Sequence, residues 1–127
     1  MKLRITTLVA VLMLAATVHA ELPSTTDAVV KRALTSGKPT VIDLGARTCI
    51  PCKMMAPILE SLSTEYRNKA NVLFIDVRKD QPAARKFRVQ MIPTQVFFNV
   101  QGKEVKRHIG AMEKTEIVKE LKAAGLR

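Results

Sequence analysis

Beyond its first twenty residues the chain falls into eight stretches of patterned hydrophobicity. Residues 24–37, STTDAVVKRALTSG, set Val29, Val30, Ala33 and Leu34 on one helical stripe, with Ser24 or Thr25 able to cap its start and Gly37 to close it. KPTVIDLGA is short, apolar and β-branched, which predicts a buried strand over 40–46. Helical spacing returns in residues 49–70, where Met55, Ile58, Leu59 and Leu62 share a face and Pro57 should kink the pattern. NVLFIDV, residues 71–77, reads as a second buried strand. QPAARKF, residues 81–87, reads as a short helix with Pro82 tolerated in its first turn. TQVFFNV, the turn QGK and EVKRHIG then form an antiparallel hairpin. EKTEIVKELKAAG closes the chain as an amphipathic helix, with Ile117, Leu121 and Ala124 turned inward.

The order is therefore α-β-α-β-α-β-β-α. A β-α-β opening demands a right-handed crossover and a parallel pair, while the hairpin adds antiparallel strands. The expected fold class is α/β, a mixed central sheet of about four strands with helices on both faces. Repeats, low-complexity tracts and Ser/Gly linkers are absent from the sequence, so one domain is expected.

The first twenty residues, MKLRITTLVAVLMLAATVHA, change the picture of where that domain works. Lys2 and Arg4 give a positive start, an apolar run follows, and Val18-His19-Ala20 places small residues at a cleavage position. The run from Ile5 to Ala20 is shorter than the roughly 20 apolar residues that span a bilayer. Residues 1–20 are thus expected to be a signal peptide removed before Glu21, leaving residues 21–127 as a periplasmic or secreted domain; an uncleaved tether is the alternative. Disulfides persist in such compartments. Without Lys2 and Arg4 the formal charge falls from +10 to +8, and it is spread from Lys31 to Arg127 rather than gathered in a block. With one tyrosine and no tryptophan to interleave, this is not the stripe that stacks on bases, and no nucleic-acid partner is expected.

The only two cysteines, Cys49 and Cys52, stand three positions apart in RTCIPCKM. A structural zinc site needs four ligands, and beyond these two the mature chain offers one histidine, His108. No metal is expected, a zinc shared between two chains being the remaining way to hold one. Met54 and Met55 raise Cu(I) handling, since thioethers and thiolates suit that ion, but helical spacing makes at least one of them core. A structural staple would close a very short loop and gain little. A redox dithiol is the reading best served by the placement. Cys49 follows a strand and sits where a helix begins, and there unpaired N–H groups and the helix dipole favour a thiolate. Cys52 lies one turn further on and more enclosed, positioned to reach back to Cys49, while Pro51 stiffens the intervening loop. Exposed attacker first and buried resolver second is the expected division. Arg47 and Lys53 flank the pair and can hold a thiolate, guide acidic partners or simply face solvent.

These residues also carry a family resemblance, covering nearly all of residues 25–125. VIDLGARTCIPCKMMAPILESL resembles the thioredoxin strand, CxxC site and kinked helix. MIPTQVFFNVQGKEV resembles that family's cis-proline segment and hairpin, and IGAMEKTEIVKEL the start of its last helix. The resemblance implies the thioredoxin fold and a reversible Cys49–Cys52 disulfide. It implies that Asp43, six residues before Cys49, is the family's buried acid, its pKa raised by burial so that it exchanges a proton with Cys52. It implies a cis bond before Pro93, with Ile92 offering backbone groups to an extended substrate segment and Ile50 and Pro51 forming the rest of the binding surface.

There are departures from the family pattern. Thr48 and Gly45 stand where thioredoxins typically carry tryptophan, and Ile50-Pro51 replaces Gly-Pro between the cysteines. Phe74 stands in place of a lysine that often faces the acid, and the family's extra first strand is not expected here. The implied activity is thiol-disulfide exchange with disulfide-containing or dithiol proteins, without metal or organic cofactor. The chain is expected to act as a monomeric reductant recharged by a membrane electron donor. An oxidase or isomerase on the same fold is the alternative, though the inserted or dimerising domain such enzymes carry is missing; a binding module with an incidental dithiol is another.

Overall fold

The computed structural model describes residues 21–127; the leader expected over residues 1–20 lies outside them. The elements are α1 (Asp27–Leu34), β1 (Thr40–Gly45), α2 (Ile50–Glu65), β2 (Asn71–Asp76), α3 (Gln81–Lys86), β3 (Thr94–Phe98), β4 (Glu104–Ile109) and α4 (Lys114–Ala123), in the order that the hydrophobic pattern predicts. The sheet runs β2-β1-β3-β4. β1 pairs parallel with β2 from Thr40↔Asn71 to Gly45↔Asp76, and antiparallel with β3 from Thr40↔Phe98 to Leu44↔Thr94. β4 completes the antiparallel hairpin on β3.

β1 is central and buried along its whole length, so its alternating side chains feed both cores. Val41 packs with Met55, Leu59 and Leu62 of α2 and with Ile117 and Leu121 of α4. Ile42 and Leu44 pack with Val30 of α1 and with Phe87 just beyond α3. By the same alternation Asp43 and Gly45 share the face of Val41, beneath α2. That places a carboxylate inside an apolar layer.

Boundaries move where side chains have other work. Thr26, rather than Ser24 or Thr25, caps α1, its hydroxyl accepting the Val29 N–H at 3.4 Å. Ser24 is engaged elsewhere: its hydroxyl accepts the Asp76 N–H at 2.9 Å, and its backbone bridges Phe74 in parallel. This single bridge, with the Thr25 N–H donating to Phe74 O at 2.7 Å, is what stands where a further edge strand would lie. α1 stops at Leu34 because the Thr35 hydroxyl turns back on the Lys31 and Arg32 carbonyls, and Gly37, at φ 75°, swings the chain into β1. β3 ends early at a bulge between Phe97 and Phe98; the Asn99 carboxamide then accepts the N–H groups of Gln101 and Lys103, each at 3.0 Å, to close the hairpin turn. α2 continues through Pro57 to Glu65 as one element.

Candidate active site

The loop Ala46-Arg47-Thr48 leaves the C-terminal end of β1 and delivers Cys49 to the N-cap of α2. The Cys49 and Cys52 side chains are joined in a disulfide with their Cα atoms 5.1 Å apart. Cys49 Sγ accepts the Cys52 N–H at 3.4 Å, and the Lys53 N–H donates to the Cys49 carbonyl at 3.0 Å to begin the helix. One first-turn N–H, that of Cys52, therefore points at the sulfur of residue 49, and with the helix dipole it favours negative charge there. The exposure contrast expected between the two cysteines is slight: Cys49 is 8% exposed and Cys52 5%. Ile50, 76% exposed, with Pro51 also exposed, forms the visible crest. What separates the two sulfurs is the cap position.

Opposite the disulfide, the Ile92–Pro93 bond is cis. Ile92 packs half-buried against Ala46, Cys49 and Cys52. The loop is pinned on both sides: Pro93 O accepts the Gly110 N–H at 2.8 Å, and the Thr94 hydroxyl donates to Met91 O at 2.7 Å.

Beneath the site, Asp43 is fully buried. Its Oδ1 accepts from the Gln95 carboxamide at 2.8 Å, while Oδ2 and Gln95 Oε1 have no partner. Burial pushes the carboxyl up from 3.8 to about 6, opposed in part by the Gln95 hydrogen bond. Both orphan atoms are acceptors, so the pair lacks a donor, and a proton on Asp43 supplies one. Gly45, two residues along the same face, lies so close to Cys52 that a Cβ there would stand 3.2 Å from its Sγ. β1 thus carries the acid and the contact with Cys52 on one side of one strand.

Gln95 is a further residue of the site, and a carboxamide inside the run TQVFFNV, in step with Phe97, is its signal in the sequence. Arg47 has a fuller role than a flanking charge. Its guanidinium stacks 4.3 Å from the centre of the Phe74 ring, pairs with Glu21 at 2.8 Å and donates to the Leu22 carbonyl. It thereby straps residues 21 and 22 beside Cys52, over a cavity of about 10 Å³ lined by Cys52, Ala46, Leu59 and Phe74, room for about one water. Buried Asp76 ties the same loop down, Oδ2 accepting the Arg47 N–H at 3.4 Å and Oδ1 those of Arg78 and Lys79; Arg78 returns a hydrogen bond to the Thr48 hydroxyl. Met55 lies buried, its sulfur accepting the Met112 N–H at 3.3 Å, whereas Met54 is exposed, so the two thioethers do not converge. His108 is half-buried with Nε2 3.2 Å from Ala111 O.

Comparison with known proteins places this geometry. The thioredoxin family model matches residues 21–123. Over 88 residues, 69% of this chain, the sequence is 42% identical to the thioredoxin of Mycobacterium bovis and covers 75% of it. It is equally similar to the bifunctional thioredoxin reductase/thioredoxin of Mycobacterium leprae, covering 19% of that longer protein. Among solved structures, thioredoxin NaTrxh from Nicotiana alata superposes with a TM-score of 0.67 at 34% identity, over 76% of this chain and 82% of that one.

Proposed function

The chain belongs to the thioredoxin family and is a thiol-disulfide oxidoreductase, and from that premise we propose that it is an exported, monomeric reductant of protein disulfides in which Cys49 attacks and Cys52 resolves. One observation carries the reading: the two sulfurs are bonded at the N-cap of α2, against the cis Ile92–Pro93 loop, with a buried carboxyl on the strand below.

In the reduced protein the Cys49 thiolate attacks one sulfur of a partner's disulfide. A mixed disulfide forms and the partner's other sulfur leaves as a thiolate, which takes up a proton. The partner segment lies extended along Ile92, whose backbone groups pair with it as a strand would, with Ile50, Pro51 and Pro93 walling the groove. Asp43, directly or through water, takes the proton from Cys52. Cys52 then attacks Cys49 Sγ, expelling the partner's second sulfur as a thiolate that solvent protonates and leaving the Cys49–Cys52 bond. Two electrons pass to the partner. No metal or organic cofactor enters the cycle.

The leader over residues 1–20 supports export, and likeness to thioredoxins supports the reducing direction; outside the cytosol such a protein is recharged by a membrane-embedded thiol donor. The test is reduction of a disulfide protein such as insulin, combined with equilibration against glutathione. Turnover is expected to vanish in Cys49→Ser, and Cys52→Ala should accumulate the mixed disulfide. The potential should fall near the reducing end of the family range of about −270 to −120 mV. A value near −120 mV would make the protein an oxidant instead, and activity surviving in Cys49→Ser would end the exchange reading.

A further inference from the structure

We propose that a two-arginine pocket beside the cis-proline loop takes a carboxylate from the disulfide-bearing partner, so that this protein selects partner segments with an acidic residue near the cystine. The inference rests on the exchange reading above and names the substrate class of that site.

The first observation is backbone conformation. α3 is capped by Phe87, and the next residue, Arg88, has φ 52°. Its N–H donates to Arg85 O at 3.0 Å and that of Val89 to Ala84 O at 2.9 Å, closing the helix in the way that favours glycine at the left-handed position. An L side chain is strained there. The arginine kept in that place lines an open pocket of about 300 Å³ with Gln90, Thr94, Arg107 and Ile109.

The second observation is preorganised charge. Arg107 is held by its Nε on Glu104 at 2.8 Å and by its Nη1 on the Phe87 carbonyl at 2.8 Å. The rest of its guanidinium is left to a ligand, and Arg88 makes no ion pair among the described residues. The lining residues include no acidic side chain, and Glu104, which pairs with Arg107, is not among them. Two guanidinium forks with one committed counter-ion match a planar carboxylate.

The third observation is continuity with the groove. Gln90 and Thr94 bracket Met91-Ile92-Pro93, and Ile109 precedes Gly110, which is bonded to Pro93 O. Met91 and Ile109 are exposed and give the rim an apolar edge. A strand laid along Ile92 advances about 3.3 Å per residue, so it reaches this pocket within a few positions of its cystine.

The experiment uses synthetic cystine peptides carrying Glu at each of four positions on either side of the disulfide, with Gln twins, and reads kcat/KM for their reduction. The wild type should favour Glu over Gln at one or two neighbouring positions by about fivefold at low salt, with the preference fading as salt rises. Arg88→Gly should abolish the preference while leaving thermal stability equal or higher, because glycine suits the backbone; Arg107→Gln should abolish it independently. A wild type indifferent to Glu, or an Arg88→Gly protein that keeps the preference, overturns the proposal. So does a loss in Arg88→Gly that is equal for Glu and Gln peptides, since that would report a displaced loop. If no peptide of either kind is reduced, the exchange reading itself fails and takes this one with it.

Discussion

Replacing Asp43 by asparagine should stabilise the oxidised protein above neutral pH while impairing its chemistry. The carboxyl titrates at about 6 in the fold, against about 3.9 in an unfolded chain. Between those values the folded state binds the extra proton, so stability falls as pH rises through the interval and levels off above it. Two units at about 1.4 kcal/mol each give a cost of about 3 kcal/mol for holding the ionised group where it has a single hydrogen bond from Gln95. Asparagine keeps an oxygen for that bond and carries no charge to desolvate. Urea unfolding of oxidised wild type and Asp43→Asn should therefore differ little near pH 4. The variant should gain about 1.4 kcal/mol per unit up to pH 6 and hold about 3 kcal/mol at pH 8. Its resolution step, followed by release of the mixed disulfide, should slow by about 10²-fold at pH 7, within the usual contribution of a proton acceptor. A stability difference that stays flat from pH 4 to 8 would refute the claim that burial penalises the ionised form of this carboxyl.

Two further substitutions probe the packing around the sulfurs. Gly45→Ala introduces a Cβ 3.2 Å from Cys52 Sγ and 3.4 Å from the Phe74 ring, so it should cost about 1–3 kcal/mol and slow closure of the disulfide, measured by unfolding and by stopped-flow oxidation; unchanged closure would show that Cys52 has room to move. Arg47→Gln removes the stack on Phe74 and the pair with Glu21, and should cost about 1 kcal/mol and raise the hydrogen-exchange rate of the Thr25 N–H, with Arg47→Lys restoring only part. Equal protection at Thr25 in all three proteins would show that the strap is idle.

Much of this fold was legible because hydrophobic period and local chemistry agree. VIDLG and NVLFID are too short and too apolar for anything but buried strands, and the Met55, Leu59, Leu62 stripe can only be a helix pressed on them. The cysteine pair announced itself by spacing, and Asp43 by the family resemblance, since Asp76 shows that an acid in an apolar strand is not a sufficient signal by itself. The pieces that were not legible depend on pairings across the chain. Gln95 matters because β3 happens to lie in register with β1, which no local pattern encodes. Ser24 leaves the cap of α1 because Asp76 competes for its hydroxyl from 52 residues away. Arg47 reads as a solvated flank until Phe74 is brought beneath it. Arg88 carries no signal in the local sequence pattern, and its backbone angle is what sets it apart.

The N-terminus of α2 makes the thiol of residue 49 a ready nucleophile. Alkylation by iodoacetamide of the reduced Cys52→Ala protein, followed as a function of pH, tests it with a single sulfur in view. An inflection is expected near or below pH 7.5, well under the ordinary thiol value of about 8.5. An inflection at 8.5 or above, in a protein that unfolds normally, would contradict it.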